Sequence, residues 1–200
     1  MLTSRPMRAA ILLSGGGRTL QNLLAERAEG RLPIEPVLVV SSSPDAYGLV
    51  RAQAAGIPTR VLRRKDAPDE AAYAEAVFGA CREAGAELVL MAGWLKLLRP
   101  IPADYRGKVL NIHPALLPAF GGKGFWGDRV HRAVLEAGVA ETGCTVHLVD
   151  DEYDHGPVLL QERVPVLPGD DVPTLAARVF EAECRAYPEA IRRFLALTGG

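Results

Sequence analysis

Asn111 and His113 stand two positions apart at the end of an apolar run, inside Val109-Leu110-Asn111-Ile112-His113-Pro114-Ala115-Leu116-Leu117-Pro118. In an extended strand that spacing puts an amide and an imidazole on one face. Pro114 disfavours helical geometry at His113, and Pro118 punctuates the chain again, so both side chains are expected where a buried strand opens into a loop. Open α/β sheets bind their ligands at that end of the strands. An imidazole there serves nucleophilic or acid–base chemistry only if a carboxylate orients it and a pocket holds a substrate; alone, it is more often a satisfied structural group.

Two further stretches could supply those needs. Ser14-Gly15-Gly16-Gly17-Arg18-Thr19-Leu20 follows the first apolar run and opens a helical pattern. Glycines allow close backbone approach, and the free amides of a helix N-terminus favour an anion such as phosphate; the other reading is a tight structural turn. The spacing fits neither GxGxxG nor GxxxxGK[ST], which weakens dinucleotide and nucleoside-triphosphate readings. Asp150-Asp151-Glu152-Tyr153-Asp154-His155-Gly156-Pro157 is a dense carboxylate cluster between two β-type runs. It reads as a solvated turn, as a loop for a hard cation, or as the source of an orienting carboxylate, although it does not match an EF-hand.

The elements that must position these groups alternate short apolar runs with helical periods, the pattern of a mostly parallel α/β sheet covered by helices on both faces. Strands are expected at residues 9–13, 36–40, 59–62, 88–92 and 109–112, with crossover helices at 19–28, 47–55 and 70–84. Beyond residue 125 a helix at 128–137, two β-rich runs at 142–149 and 158–164 and a helix at 172–197 predict an antiparallel C-terminal part. Pro188 is expected to kink or interrupt the last helix, which Gly199-Gly200 follow. The Pro/Gly-rich residues 118–127 read as a mobile loop beside the site.

The chain has 200 residues, 48% hydrophobic, with 23 basic and 24 acidic side chains and net charge -1, which suits one globular domain with a substantial core. That balance gives no electrostatic footprint for nucleic acid or an acidic membrane, so an anionic ligand must be held locally. Cys81, Cys144 and Cys184 are odd in number and never in metal-ligand spacing, which argues against a disulfide framework and a zinc site. With no leader-like start and no long apolar run, the expectation is a cytoplasmic protein.

Asn-Ile-His-Pro-x-Leu-Leu-Pro at 111–118, followed some forty residues on by Asp-x-Gly-Pro at 154–157, resembles the folate-dependent formyltransferase family. The glycine-rich stretch, Val89-Leu90-Met91-Ala92-Gly93-Trp94, His131-Arg132-Ala133-Val134, Gly143-Cys144-Thr145-Val146-His147, and Glu183 with Tyr187-Pro188 support the likeness, which runs from about residue 8 to about residue 195. It implies a single-domain, Rossmann-type formyltransferase fold with a phosphate-binding N-terminal half (about 8–108) and a catalytic, folate-binding C-terminal half (about 109–197). The implied reaction moves the formyl group of 10-formyltetrahydrofolate, as co-substrate, to the amine of glycinamide ribonucleotide, with no metal and no covalent intermediate.

By the same resemblance Asn111, His113 and Asp154 are catalytic. Attack of an amine on the formyl carbon creates an oxyanion and an ammonium; Asn111 and a protonated His113 could donate to the oxygen, while Asp154 pairs with the imidazolium or relays the proton. Gly15, Gly16, Gly17, Arg18 and Thr19 would hold the substrate phosphate, and Glu183 would contact the glycinamide end. Leu95, Lys96, Leu97 and Leu98, with Val149 and Asp151, would grip the folate pterin. The implied partners are small molecules, with the chain a monomer or homodimer.

The chain also departs from the family pattern. Gly16-Gly17-Arg18-Thr19 replaces an Asn-Gly-Ser-Asn form, so Arg18 and Thr19 could act through backbone alone. Lys96 replaces an arginine, which keeps the charge and loses the bidentate fork. The loop at 120–127 is longer than in many relatives. The family alternatives are a hydrolase of the same folate and formyltransferases acting on a tRNA or a sugar nucleotide; the first two are expected to need a further domain, and the glycine-rich loop speaks against the third. A catalytically silent binding module would have no reason to keep Asn111, His113 and Asp154 together.

Overall fold

The computed structural model describes residues 5–198; Gly199 and Gly200 and the first four residues of the leader reading lie outside them. The described chain runs β1 (Met7–Leu13), α1 (Arg18–Ala28), β2 (Ile34–Ser41), α2 (Tyr47–Ala54), β3 (Thr59–Val61), α3 (Glu70–Glu83), β4 (Leu88–Met91), β5 (Val109–His113), α4 (Asp128–Ala137), β6 (Glu141–Leu148), β7 (Val158–Pro165) and α5 (Val172–Thr198). This is the expected mostly parallel, mixed α/β architecture, with a short 3-10 turn at Arg64–Asp66 that the sequence pattern does not announce. The chain divides into two compact units between Leu110 and Asn111.

In the first unit the strand order is β3-β2-β1-β4, and β1 pairs in parallel with β2 and β4. Ala9, Ala10, Ile11, Leu12 and Leu13 are fully buried, because an unbroken apolar run suits a strand covered on both faces rather than one with a wet side. The β1–β2 register slips by one residue beside Pro36, which has no N–H to give to the ladder. α3 starts where the Asp69 carboxylate accepts the Ala72 N–H at 2.7 Å, a side-chain cap for an otherwise unpaired donor.

In the second unit β6 and β7 pair antiparallel, and α5 packs against both. Asp171 caps the first turn of α5 by accepting the Thr174 N–H at 2.9 Å. Pro188 does not interrupt this helix, contrary to one branch of the expectation. It sits among the buried Ala186, Tyr187, Ala190 and Ile191, so packing along the helix offsets the missing donor.

Candidate active site

The strand end behaves as the spacing predicts. β5 carries Asn111 half-buried and His113 only 4% exposed. His113 Nε2 lies 2.8 Å from the Phe120 carbonyl oxygen, and Nδ1 lies 3.5 Å from Asp154 Oδ1. A carbonyl only accepts, so Nε2 carries a proton there, and only a doubly protonated ring donates to both oxygens. The sequence expectation that His113 donates to a substrate oxygen therefore meets a constraint: that donor is engaged within the protein.

Asp154 reaches His113 from the turn between β6 and β7. Its backbone is left-handed, φ 52°, a conformation aspartate tolerates better than most residues, and its side chain is only 12% exposed. Asp154 Oδ2 accepts the Gly122 N–H at 2.9 Å, so the loop after Pro118 ties down both the imidazole and the carboxylate. Gly121 permits that approach: a Cβ there would lie 2.4 Å from Leu117 Cδ2 and 3.3 Å from Asp154 Cβ. Within the loop Phe120 itself is left-handed, at φ 55°.

The base of this loop hangs on one hydroxyl. Thr145 Oγ1, fully buried on β6, donates to Ala115 O at 2.7 Å and accepts from Leu117 N at 3.0 Å and Gln161 Nε2 at 2.9 Å. Gln161 Nε2 also donates to Leu117 O at 2.9 Å, just before the cis Leu117-Pro118 peptide bond. Two residues along the same strand face, His147 places Nε2 3.1 Å from Asn111 Nδ2 and 3.8 Å from Asp154 Oδ1. His147 Nδ1 lies 2.9 Å from Leu148 O, and burial pushes its pKa below the usual histidine value. In the sequence His147 stands only as part of the motif at 143–147 that supports the resemblance, with no role of its own. The signal is the spacing: Thr145 and His147, among the buried residues of β6, repeat the two-apart polar pair of Asn111 and His113.

The first unit holds the other predicted residues. Gly15 and Gly16 are exposed at the end of β1, and Gly17 precedes α1 at φ 69°. A Cβ on Gly17 would lie 2.6 Å from Gly48 Cα, so only glycine lets the α1 start approach α2 this closely. No side chain caps α1, whose first residue is the exposed Arg18, with Thr19 half-buried behind it. Such a terminus presents backbone amides and a positive dipole end. Ser14 Oγ joins this loop to the expected folate segment by accepting the Leu95 N–H at 3.0 Å and the Ser42 hydroxyl at 2.7 Å.

In that segment Leu95 is 41% exposed and Lys96 is exposed, Leu97 is half-buried, and Leu98 is buried in the core at 1%. Leu98 can thus offer a ligand only its backbone. In the second unit Val149 is half-buried and Asp151 exposed. Glu183 is half-buried on α5, where with Glu162 it adds to burial in pushing the Cys144 thiol up to about 12. The structure thus brings Asn111, His113 and Asp154 together with His147, and sets Glu183 on a different element of that unit. Among the described residues no group of three or more His, Cys, Asp or Glu is placed to hold a metal ion, and no helix is long and apolar enough to cross a membrane.

Residues 7–191 match the formyl transferase family, and the chain belongs to it. A phosphoribosylglycinamide formyltransferase of Haemophilus influenzae is 37% identical over 188 residues, covering 94% of this chain and 86% of that protein. The trifunctional purine biosynthetic protein adenosine-3 of Gallus gallus is 42% identical over 192 residues, 96% of this chain; the chain spans only 19% of that relative's length. Among solved structures, phosphoribosylglycinamide formyltransferase from Brucella melitensis superimposes with a TM-score of 0.85 at 43% identity, covering 96% of both chains. Glycinamide ribonucleotide transformylase 1 from Symbiobacterium toebii gives 0.88 at 41%, covering 94% of this chain and 87% of that one.

Proposed function

We propose that this protein is a phosphoribosylglycinamide formyltransferase, which moves the formyl group of 10-formyltetrahydrofolate to the amine of glycinamide ribonucleotide in purine biosynthesis. The observation that carries this reading is the cluster of half-buried Asn111 and Asp154 with buried His113, in a chain that matches phosphoribosylglycinamide formyltransferases over nearly its whole length. The amine of the acceptor attacks the formyl carbon, the C=O pair moves onto oxygen, and nitrogen becomes an ammonium. Loss of one proton from that nitrogen and collapse of the tetrahedral carbon expel tetrahydrofolate, whose N10 takes up a proton.

The side chains fit those demands. Asn111 has a second amide hydrogen beyond the one facing His147, and it is the donor for the oxyanion. A His113 protonated on both nitrogens would pair with Asp154 and add a positive field at the same strand end; it donates to substrate by exchanging the Phe120 carbonyl for the substrate oxygen. Asp154 receives the ammonium proton, directly or through water. Gly15, Gly16, Gly17, Arg18 and Thr19 bind the acceptor's phosphate through backbone amides, Glu183 contacts its glycinamide end, and Leu95, Lys96, Leu97, Leu98, Val149 and Asp151 contact the folate. The test is incubation with 10-formyltetrahydrofolate, with and without glycinamide ribonucleotide. Formylation of the acceptor amine is expected, and formate release without the acceptor would assign a hydrolase instead.

A further inference from the structure

We propose that His147 is a positioning residue that fixes the amide orientation of Asn111, so that the nitrogen, and with it the spare N–H, stays at the site. The proposal rests on the role given to Asn111 above. A primary amide rotated half a turn about its last bond exchanges its donor nitrogen for an acceptor oxygen at almost no steric cost, so a catalytic asparagine needs a partner that tells the two ends apart. His147 supplies one. Leu148 O, 2.9 Å from Nδ1, only accepts, which places the ring proton on Nδ1 and leaves Nε2 as a pure acceptor.

Asn111 Nδ2, 3.1 Å from Nε2, satisfies that acceptor. A turned amide would set Oδ1 against the Nε2 lone pair and bury two acceptors face to face, since His147 is 1% exposed. The charged and titratable groups acting on His147 are Asp154, His113 and Asp150, and the two carboxylates favour its protonated form. Burial outweighs them and holds the ring neutral, the state in which it accepts. Asp154 Oδ1, 3.8 Å from Nε2, lies beyond hydrogen-bond range.

Two measurements test this. The first is long-range nitrogen–proton NMR on the histidine rings of the wild-type protein at neutral pH, with no substrate. The expected result is a neutral His147 protonated on Nδ1; an Nε2–H ring or an imidazolium would overturn the proposal. The second is a double-mutant cycle on formyl transfer. His147→Phe should lower kcat about tenfold to a hundredfold with KM for both substrates nearly unchanged, and His147→Gln, which restores an acceptor near the Nε2 position, should recover part of the loss. In an Asn111→Ala background His147→Phe should cost almost nothing more, because a residue that works only through Asn111 has nothing left to position. A full further loss in that background would make His147 a direct contact of substrate and overturn the assignment. So would an unchanged kcat in the single variant. If His147→Phe does not fold, the glutamine variant and the ring tautomer decide. A wild-type protein that transfers no formyl group would refute the proposed reaction while leaving the NMR result to judge the orientation.

Discussion

The glycine-rich loop of the first unit and the polar cluster of the second solve opposite problems. The loop offers an anion backbone amides on exposed residues: Gly15 and Gly16 carry no side chain, and the start of α1 is uncapped. The cluster buries its polar side chains wholly or in part, and each is held by a named partner: His113 by Phe120 and Asp154, Asn111 by His147, Asp154 by Gly122. Backbone donors neither titrate nor depend on residue type, so in the proposed function Arg18 and Thr19 need supply only their amides. Buried side chains must each find a partner, and the chemistry rests on a few irreplaceable ones. The proposed function thus rests binding on backbone shape and reaction on side-chain identity.

That division breaks if variants in the two regions behave alike. The largest effect is expected from Asn111→Ala, about a hundredfold to a thousandfold lower kcat through loss of one oxyanion donor. His113→Ala and Asp154→Asn should each lower kcat at least about a hundredfold, with modest change in acceptor binding by steady-state kinetics. Wild-type turnover in either would sink the mechanism. Gly17→Ala should do the reverse, raising the acceptor's KM through a displaced helix start. At φ 69° and against Gly48, it should also cost about 1–3 kcal/mol of stability in denaturant unfolding.

Thr145→Val separates support from chemistry. Losing a buried hydroxyl with three partners should cost about 1–3 kcal/mol, and Tm should drop by about 2–4 °C for each kcal/mol lost. The smallest effect concerns the exposed pair His155 Nδ1–Asp150 Oδ2, 2.8 Å apart. Asp150 holds the His155 pKa above its usual value. A raised histidine contributes stability below its unfolded value near pH 6.5 and loses it as pH rises through the higher folded value. His155→Ala should therefore flatten a slight fall in Tm across that range, and an unchanged profile would show the pair to be inert.

Periodicity and punctuation made the frame readable: the expected strands and helices end within about two residues of those observed, because buried parallel strands write continuous apolar runs. Spacing alone put Asn111 and His113 on one strand face, and only the resemblance singled out Asp154 within its acidic turn. What escaped depends on partners that sequence does not index. The Phe120 carbonyl bond is a backbone contact from a loop, the His147–Asn111 bond needs a geometry between strands, and Leu98 reads as a ligand contact until packing buries it. The passage of α5 through Pro188 likewise reflects burial along the helix rather than local propensity.

The division of labour is tested most directly by single-turnover formyl transfer in Asn111→Ala alongside calorimetric titration with glycinamide ribonucleotide. The chemical step should slow about a hundredfold or more while the acceptor's Kd stays within about twofold of wild type. A Kd raised by the full factor, with the bound substrate reacting at the wild-type rate, would contradict it and make Asn111 a binding residue.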